Sequence, residues 1–383
     1  MSLADLVLPC VFALSATFLV CLGLIATRGL HGHLTLDIRP GVQKIHDFHA
    51  PRVGGIALFA GALAGGAVMP AAGQVLWWLI LLSLLPSFIA GTVEDITDQV
   101  GVRVRLAATI LSGLLFCLFS GLWITRVDLA WADWLLSFTP FAVLFTGFAI
   151  GGVANAFNII DGVHGLASGT AILILSGFAV LAWQSGDAGL LACALVAIAL
   201  LAGFFVLNFP YGRIFMGDAG AVMTGFLLAT IAVALPQRNP EISPLVGLIA
   251  LAYPVTETLV SILRRLSRKG GNPGNADRLH LHSLVFRSRA RRLAAWLGRP
   301  QHRNAATSVI VGMLPLLTTA LTIYRPENSA ITLLEVAAVV GIYLWAYRSV
   351  ALLPKLSGRF RRRSAESAAP PTASPSDPAE SGR

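Results

Sequence analysis

Long apolar runs alternate with short polar segments along almost the entire chain. A helix that crosses a bilayer needs about 20 predominantly apolar residues, and re-entrant elements need fewer. Read this way, the pattern supplies eleven candidate spans: Leu3–Thr27, Val53–Pro70, Val75–Val93, Leu106–Ile124, Phe138–Val153, Leu166–Trp183, Leu190–Asn208, Ala221–Leu235, Pro244–Leu263, Ala306–Tyr324 and Ala330–Leu353. We therefore predict an all-α polytopic membrane protein with about eleven transmembrane helices, ten being the alternative count.

The composition excludes a soluble globular protein. Of the 383 residues, 56% are hydrophobic and only 12% are charged, and the mean hydropathy is +0.74, which is typical of a polytopic membrane chain. A net charge of +9 can indicate nucleic-acid binding. In a membrane chain, however, it reflects topology and anionic lipid headgroups. We expect the lipid bilayer as a partner and no nucleic acid.

The distribution of Lys and Arg orients the predicted spans. Eleven spans place successive loops on alternate sides, and of the 28 Lys and Arg residues one side holds only Arg126, Arg238 and Arg325. The positive-inside rule makes the other, basic side cytoplasmic. We predict an N-terminus outside and a cytoplasmic C-terminus. Residues 1–353 would form one integral-membrane domain, and residues 354–383 a basic, then disordered cytoplasmic tail.

The polar clusters with motif-like spacing fall on the basic side, and the first lies between two apolar runs. Asn155, Asn158, Asp161 and His164 recur every third residue, so on a helix they would lie close together. Two amides and a carboxylate at a membrane edge offer hard oxygen ligands for a divalent cation and hydrogen bonds for a phosphate. An Asn- and Gly-rich turn between two membrane helices is the alternative.

A cluster of acids ends the third predicted span. Glu94, Asp95 and Asp98 would lie together on the last turn of a helix. Acids packed this closely repel one another unless a cation or a basic ligand neutralises them. Arg103 and Arg105 follow and could pair with the acids or contact a phosphate. A solvated acidic loop is the alternative.

Asp218 stands in the sequence Phe215-Met-Gly-Asp-Ala-Gly220, just before an apolar span. A carboxylate at a helix N-terminus can serve simply as a cap. In the same setting it can hold a metal ion while nearby backbone N–H groups face an anion. Both interpretations stay open from the sequence.

Two basic clusters complete the set. Lys44 and Arg52 frame a loop that enters an apolar span, and Arg278, His280 and His282 lie in the longest basic loop. A His-x-His pair suggests zinc, but no third ligand is close in sequence. Contacts to phosphates or to a nucleotide are therefore the favoured interpretation.

Glu257 lies inside the ninth predicted span. A carboxylate within a membrane span is costly and indicates a functional role by default. A structural ion pair with Arg264 or Arg265, two turns later, is equally compatible with the sequence.

Taken together, these clusters resemble the polyprenyl-phosphate N-acetylhexosamine-1-phosphate transferases, glycosyltransferase family 4 of the WecA and MraY type. The resemblance covers roughly Lys44 to Arg287 and looks more WecA-like than MraY-like. Five segments look like the family's motifs in the family's order, from its first motif through DDxxD, NxxNxxDGxDG and FxGD to HxHH: Pro51–Gly55, Glu94–Asp98, Asn155–Gly165, Phe215–Asp218 and His280–Ser283. Each motif alone is weak, but five in order on one membrane face are specific.

The resemblance implies a reaction. A UDP-activated N-acetyl sugar would give its sugar 1-phosphate to undecaprenyl phosphate at the cytoplasmic face of a bacterial inner membrane, releasing UMP. This would be the first membrane step of a cell-envelope polysaccharide pathway. Because the transfer brings two anions together, its main requirements are positioning and charge neutralisation. The resemblance leaves a homodimer open.

The resemblance also implies roles for individual residues. Asn158 and Asp218 would hold Mg²⁺, with Mn²⁺ as the alternative. Asp95 and Asp98 would orient or deprotonate the acceptor phosphate, and Glu94 and Asp161 would complete the catalytic carboxylates. Substrate would be bound by Lys44, Arg52, Asn155, His164, Arg278, His280 and His282.

Three residues depart from the family pattern. Glu94 stands for the first Asp of DDxxD, His164 for the usual Asp or Asn of DGxDG, and Ser283 for the last His of HxHH. The second and third departures bear on the choice of sugar nucleotide. These departures make a catalytically inactive homologue one alternative to a transferase, and a secondary transporter is the non-enzyme alternative.

Overall fold

The computed structural model describes residues 4–35, 50–267 and 279–367, with side chains in the last helix described to Ala351. These ranges are helical and contain no β-strand. The α-helices, in chain order, are α1 Ala4–Ala26, α2 Arg28–Thr35, α3 Gly54–Ala67, α4 Ala71–Thr97, α5 Val102–Ser120, α6 Ala130–Leu136, α7 Thr139–Ile160, α8 Leu166–Gln184, α9 Ala188–Asn208, α10 Gly217–Arg238, α11 Val246–Ala250, α12 Ala252–Leu266, α13 Leu281–Val285, α14 Arg291–Trp296, α15 Arg303–Tyr324 and α16 Ser329–Ser367. A π-helical turn, Phe286–Ala290, joins α13 to α14, and a 3₁₀ turn, Pro300–His302, leads into α15.

The helix lengths confirm an all-helical, multi-pass membrane protein. Within the described residues, nine helices are long and apolar enough to cross a bilayer: α1, α4, α5, α7, α8, α9, α10, α15 and the Ser329–Ala351 part of α16. Each corresponds to one predicted span. The other two predicted spans are built differently, and the count of eleven, like the orientation of the termini, stays a prediction.

The second predicted span is a short helix, and the ninth is broken. Helix α3 has 14 residues, fewer than a full crossing requires. The segment Pro244–Leu263 is divided at Leu251 into α11 and α12. Pro254 has no backbone N–H to donate to the carbonyl of Ala250, and that carbonyl instead accepts a hydrogen bond from Thr318 Oγ1 at 3.3 Å. The break therefore lies where the sequence removes one helical hydrogen bond.

Helix α10 is the centre of the bundle. It packs against α3, α4, α7 and α8, and its whole 18-residue apolar window is buried. The windows of α1 and α16 are only 22% and 17% buried, so these helices form the periphery. The bundle is thus layered around a helix whose first turn carries Asp218.

Helix α7 extends beyond its predicted end at Val153 to Ile160. Asn155 and Asn158 consequently lie on one helix, as the spacing predicts. Asp161 is the C-cap residue of α7, and His164 follows in the turn before α8. The three-residue repeat is therefore helical in its first half and becomes a turn in its second half.

Loops that the sequence places on the same side of the membrane contact one another at one end of the helix bundle. At the end opposite the acidic cluster, Arg126 Nη2 donates to the carbonyl of Pro240 at 2.6 Å, and Arg238 pairs with Asp187 at 2.7 Å. The predicted motifs that the structure describes gather at the other end, called here the site end.

Candidate active site

Close helix contacts bring three predicted motifs together at the site end. A Cβ on Gly55 of α3 would meet the backbone N of Gly220 at 2.5 Å, and one on Gly91 of α4 would meet Cα of Ala219 at 2.6 Å. Only glycine allows backbones to approach this closely. The first turns of α3 and α10 and the last turns of α4 therefore converge around Asp218.

The loops before α3 and α10 hold each other in place. Gly54 N donates to the carbonyl of Phe215 at 3.0 Å, and Gly55 N donates to that of Met216 at 2.8 Å. In return, Phe215 N donates to the carbonyl of Pro51 at 2.8 Å. N–H groups that a helix start leaves without a partner are thus satisfied by the neighbouring motif.

Asp95 caps α10 from another helix. Its Oδ1 accepts a hydrogen bond from Asp218 N at 2.7 Å, and its Oδ2 accepts one from Ala219 N at 3.0 Å. The side chain of Asp95 has no exposed surface. Both oxygens are committed to the first turn of α10, so the geometry favours a role in placing Asp218 over direct contact with a substrate.

Gly217 makes this cap sterically feasible. Its φ of +74° is in the left-handed region, which L-residues with a Cβ adopt at a cost. A Cβ there would overlap the carbonyl oxygen of Arg52 and the carboxylate of Asp95. The glycine of the FxGD-like motif is therefore required by both backbone conformation and space.

Arg52 joins the first motif to the acidic cluster. Its guanidinium lies 3.4 Å from Asp98 Oδ1 and 3.8 Å from Asp95 Oδ1. The side chain of Asp98 is 33% exposed, in contrast to that of Asp95. Asp98 is thus the carboxylate of this pair that a bound phosphate can reach.

Arg105 pairs with acids from two motifs. Its Nη1 lies 3.6 Å from Glu94 Oε1 and forms a shorter ion pair with Asp218. Glu94 Oε2 also accepts a hydrogen bond from Val100 N at 2.8 Å, which the longer glutamate side chain can reach. The sequence-based expectation that Arg105 could pair with the acids is confirmed.

Asn158 and Asp161 offer oxygen atoms that the protein itself leaves uncommitted. Neither side chain makes a hydrogen bond or ion pair to the described part of the chain. Burial, followed by the negative charge of Asp218, raises the pKa of Asp161 to about 7, against the opposing effect of Arg52. The five acids gathered here, Glu94, Asp95, Asp98, Asp161 and Asp218, outnumber the two arginines, Arg52 and Arg105, that pair with members of the cluster.

The residues present fit a magnesium ion held jointly with substrate. Mg²⁺ prefers hard oxygen ligands and is usually bound by one or two carboxylates together with substrate phosphates. Asp218 and Asn158 supply such oxygens, and Asp161 lies close enough to Asp218 to repel its charge. The described residues contain no group of three or more His, Cys, Asp or Glu side chains placed to hold a metal ion by themselves.

Asn155 is engaged in packing between helices. Its Nδ2 donates to Thr109 Oγ1 of α5 at 2.7 Å and to the carbonyl of Gly151 at 2.8 Å. The amide therefore ties α7 to α5 close to the site. Its predicted contact with substrate stays a prediction.

His164 packs against the loop that precedes α10. Its Nδ1 lies 3.1 Å from the carbonyl of Pro210, its ring stacks on Phe215 at 5.9 Å between centroids, and Gly212 leaves room for it. Burial lowers the pKa of His164, against the opposing effect of the Pro210 carbonyl. The lowered pKa favours the neutral form of the imidazole at this departure from the family pattern.

The His-x-His segment also reaches this end, through Glu257. The ring of His282 lies against Gly162, which leaves room for it, and stacks on His280 with centroids 5.4 Å apart. Glu257 Oε1 lies 3.2 Å from His280 Nδ1 and accepts a hydrogen bond from Leu281 N at 3.0 Å. Glu257 is only 1% exposed. The buried carboxylate thus anchors the histidine segment.

Asn208 is a residue that sequence reasoning missed. Its Oδ1 accepts from Gly165 N at 2.6 Å, and its Nδ2 donates to the carbonyl of Ile214 at 2.8 Å. It therefore links the Asn155–Gly165 motif to the Phe215–Asp218 motif. An amide at the end of an apolar run, two residues before a proline, was the available signal. Lys44 and Arg278, predicted to bind substrate, lie outside the described residues.

Comparison with known proteins gives a consistent match. The family model for glycosyl transferase family 4 matches residues 77–236, a range that includes the acidic cluster and Asp218. The undecaprenyl-phosphate alpha-N-acetylglucosaminyl 1-phosphate transferase of Yersinia pestis is 31% identical over 256 residues, which are 65% of this chain and 69% of the relative. The protein of that name from Escherichia coli K12 is 29% identical with the same shares covered. A probable undecaprenyl-phosphate N-acetylglucosaminyl 1-phosphate transferase of Bacillus subtilis is 31% identical over 260 residues, again 65% of this chain and 69% of the relative.

Proposed function

The chain belongs to glycosyl transferase family 4, and on that premise we propose that it transfers an N-acetylhexosamine 1-phosphate from a UDP-sugar to undecaprenyl phosphate. The products are UMP and a polyprenyl-pyrophosphoryl sugar. N-acetylglucosamine is the first sugar to test, because the curated relatives are named for it. The product would begin the assembly of a cell-envelope polysaccharide.

The convergence of the acids with two arginines at one end of the bundle carries this proposal. Asp95, Asp98, Glu94 and Asp218 all lie within ion-pair distance of Arg52 or Arg105. A transporter more often places its polar groups near the middle of the bilayer. Charge gathered at one face instead suits phosphoryl transfer, which depends on positioning and on neutralising anions.

In the proposed site, Asp218 and Asn158 would hold Mg²⁺ against the pyrophosphate of the donor, with Mn²⁺ as the alternative. A bound divalent cation neutralises phosphate charge and stabilises the leaving UMP. Arg105, which pairs with Asp218 in the structure, is placed to exchange this partner for a donor phosphate. Asp161 would add a further carboxylate beside Asp218. Asp95 would keep Asp218 in position by accepting a hydrogen bond from its backbone nitrogen.

The acceptor would approach Asp98 and Arg52. The exposed carboxylate of Asp98 lies 3.4 Å from the Arg52 guanidinium, so the pair can orient a phosphate monoester. Such a phosphate is already mostly anionic at pH 7, since its second pKa is about 6. The demand on a general base is therefore modest. His280 and His282, with Lys44 and Arg278, would contact the donor.

An apolar cavity is available for part of the prenyl chain. It has a volume of about 210 Å³ and lies between α7, α10, α11 and α12, with Val153, Ala229, Val233, Leu248 and Val255 in its wall. The cavity extends to Ile124 and Gln237, beside Arg126 and Arg238 at the opposite end, so it would take the distal part of a prenyl chain whose phosphate lies at the site end. Each CH₂ kept out of water is worth about 0.8 kcal/mol, which favours a bilayer-embedded path for the acceptor.

We place the site end on the cytoplasmic side of a bacterial inner membrane. The supporting observation is that Arg126, Arg238 and Arg325 are the Lys and Arg residues predicted for the other side, out of 28 in the chain. Under the positive-inside rule, the basic side is cytoplasmic. The N-terminus would then be periplasmic.

A transfer assay tests the proposal. Purified full-length protein would be mixed with undecaprenyl phosphate, Mg²⁺ and labelled UDP-N-acetylglucosamine, then with UDP-N-acetylgalactosamine and related donors. We expect label in the lipid phase, equimolar UMP and complete inhibition by EDTA. Asp218→Ala and Asn158→Ala should each abolish transfer, whereas Glu241→Ala, an exposed acid at the opposite end, should not change it.

Two results would contradict these assignments. If Asp218→Ala and Asn158→Ala both turn over normally with Mg²⁺, the assigned metal ligands are wrong. If a folded preparation binds UDP-sugar by calorimetry but transfers nothing from any donor, the chain is an inactive homologue.

A further inference from the structure

The segment between α13 and α15 carries a concentrated positive surface. From Leu279 to Arg303 the sequence contains six arginines and no acidic residue. Five of these arginines are exposed: Arg287, and after it the four residues Arg289, Arg291, Arg292 and Arg299. Within the described residues, none of these four has a carboxylate at ion-pair distance. Their charge is therefore not balanced by the segment itself or by its described neighbours.

Large apolar side chains lie beside these arginines. Trp296 is 81% exposed and Leu297 is 55% exposed. The inner face of the same segment is apolar and covered: Ala290 and Ala294 are buried, and the segment packs against α15. The exposed Trp296 thus lies on the outer face of a segment whose inner face packs against α15.

The position of the segment places this outer face near the membrane boundary. The span α15 begins at Arg303, six residues after Leu297, and six residues reach at most about 20 Å. Arg303 also fixes the junction, since its guanidinium lies 3.8 Å from the Phe286 ring centroid and its Nε donates to the Phe286 carbonyl at 2.6 Å. Exposed tryptophan next to a membrane entry is typical of the interface between lipid and water.

We propose that Arg289, Arg291, Arg292, Trp296, Leu297 and Arg299 form a docking surface for the headgroups of anionic phospholipids in the bilayer that the chain spans. Arginine side chains beside a membrane span bind lipid phosphates, each worth about fivefold in affinity for an anionic surface. Trp296 and Leu297 would enter the boundary between headgroups and acyl chains. The charge complementarity and the adjacent apolar pair together select a lipid over a soluble anion. The inference does not depend on the transferase reaction.

Lipid retention by the full-length protein tests this surface. The protein would be extracted from vesicles of phosphatidylcholine mixed with phosphatidylglycerol, and bound lipid would be counted by native mass spectrometry. A quadruple variant, Arg289→Gln with Arg291→Gln, Arg292→Gln and Arg299→Gln, should retain at least tenfold less phosphatidylglycerol and unchanged phosphatidylcholine. The matched quadruple lysine variant keeps the charge and should lose less than twofold.

A second measurement places the tryptophan. Headgroup-proximal brominated lipid should quench the fluorescence of the wild-type protein more than that of Trp296→Phe, and Arg325→Gln at the opposite end should leave retention unchanged. Two outcomes overturn the proposal. One is wild-type retention of phosphatidylglycerol by a folded glutamine variant. The other is unchanged retention together with a raised KM for the UDP-sugar, which would assign the surface to the soluble donor.

Discussion

Asp95 Oδ1 lies 2.7 Å from the backbone nitrogen of Asp218 and accepts its hydrogen bond. Two acids from different motifs are therefore linked by a hydrogen bond from the backbone N–H group of one to the carboxylate of the other. The link involves no contact between the two carboxylates. The first acid fixes the turn from which the second projects. A motif comparison treats Asp95 and Asp218 alike as site acids. The structure gives them different tasks: Asp95 positions the first turn of α10, and Asp218 projects from that turn.

Replacing Asp95 tests the link. Asp95→Ala leaves the N–H groups of Asp218 and Ala219 without their acceptor, and loss of a helix cap costs about 1 kcal/mol, up to about 2. We expect a lower thermal unfolding temperature in detergent without any ligand, together with loss of transfer. Asp95→Asn keeps one acceptor oxygen, so its unfolding temperature should lie between those of the wild-type protein and Asp95→Ala. Asp98→Asn, at the more exposed acid, keeps a side chain that tolerates the left-handed backbone there (φ +52°) and should lose activity without this loss of stability.

An Asp95→Ala protein that unfolds at the wild-type temperature but is inactive would contradict the capping role. It would return Asp95 to direct contact with substrate.

Gly217→Ala should destabilise the protein strongly. The left-handed conformation costs a residue with a Cβ about 1–2 kcal/mol, and the added methyl group would overlap the Arg52 carbonyl and Asp95. Gly152→Ala is the matched control, since a Cβ there meets nothing within 4 Å on the helix α7. Alanine in a helix interior gains about 0.5–1 kcal/mol over glycine. Thermal unfolding of the two variants should therefore shift in opposite directions, and equal shifts would refute the assignment.

Glu257 is expected to act on donor binding through the histidine segment. Glu257→Ala removes the buried carboxylate that His280 Nδ1 contacts and that accepts a hydrogen bond from Leu281 N, and a buried N–H that loses its acceptor costs about 1–3 kcal/mol. We expect the KM for the UDP-sugar to rise roughly tenfold, equivalent to about 1.4 kcal/mol, with a smaller change in kcat. Glu257→Gln, which retains a carbonyl oxygen for Leu281, should restore part of the affinity.

Glu335→Gln serves as the control for Glu257. Glu335 lies on the peripheral helix α16, away from the histidine segment. Its substitution should leave both kinetic constants unchanged. A fall in kcat alone in Glu257→Ala, with wild-type KM, would place Glu257 in the chemical step instead.

The ion pair of Asp187 and Arg238 predicts a pH effect at the end opposite the site. Burial tends to raise the pKa of Asp187, but hydrogen bonds from Arg238 and from Leu190 N, with the charge of Arg238, lower it below its usual value. A folded-state pKa below that of the unfolded chain contributes stability above the unfolded value of about 3.9. That contribution is lost as the pH falls from there through the folded pKa.

Wild-type protein should therefore exceed Asp187→Asn in stability at neutral pH, and the difference should shrink below about pH 4. Denaturant unfolding at a series of pH values measures this difference. A gap between the two proteins that stays constant across that range would show that the pair contributes through packing alone.

Hydrophobic patterning predicted where the helices lie because a membrane span must be apolar along its length. It did not predict the break between α11 and α12. That break depends on Pro254 and on whether Thr318 can reach the freed carbonyl of Ala250, and the second condition is set by tertiary packing. The length of α7 was also missed, since the helix continues through the polar residues Asn155 and Asn158.

The sequence also indicated which residues would gather, but not what each would touch. The resemblance to the family implied that Asp95, Asp98 and Asp218 belong to one site. The hydrogen bonds of Asp95 depend on how closely α4 approaches α10 at Gly91, which no local pattern encodes. Glu257 was equally compatible with an arginine partner nearby in sequence, and its contact with His280 spans 23 positions.

The burial of α10 has a consequence for how the protein sits in membranes of different thickness. Lipids of unequal thickness tilt or strain the helices that touch them, at a fraction of a kcal/mol per ångström of mismatch. Helix α10 touches none along its apolar window, so such strain falls on peripheral helices such as α1 and α16. The depth of Asp218 relative to the bundle is therefore insulated from bilayer thickness. In the proposed reaction, the acceptor, whose own depth follows the lipid surface, would adjust to the fixed depth of Asp218.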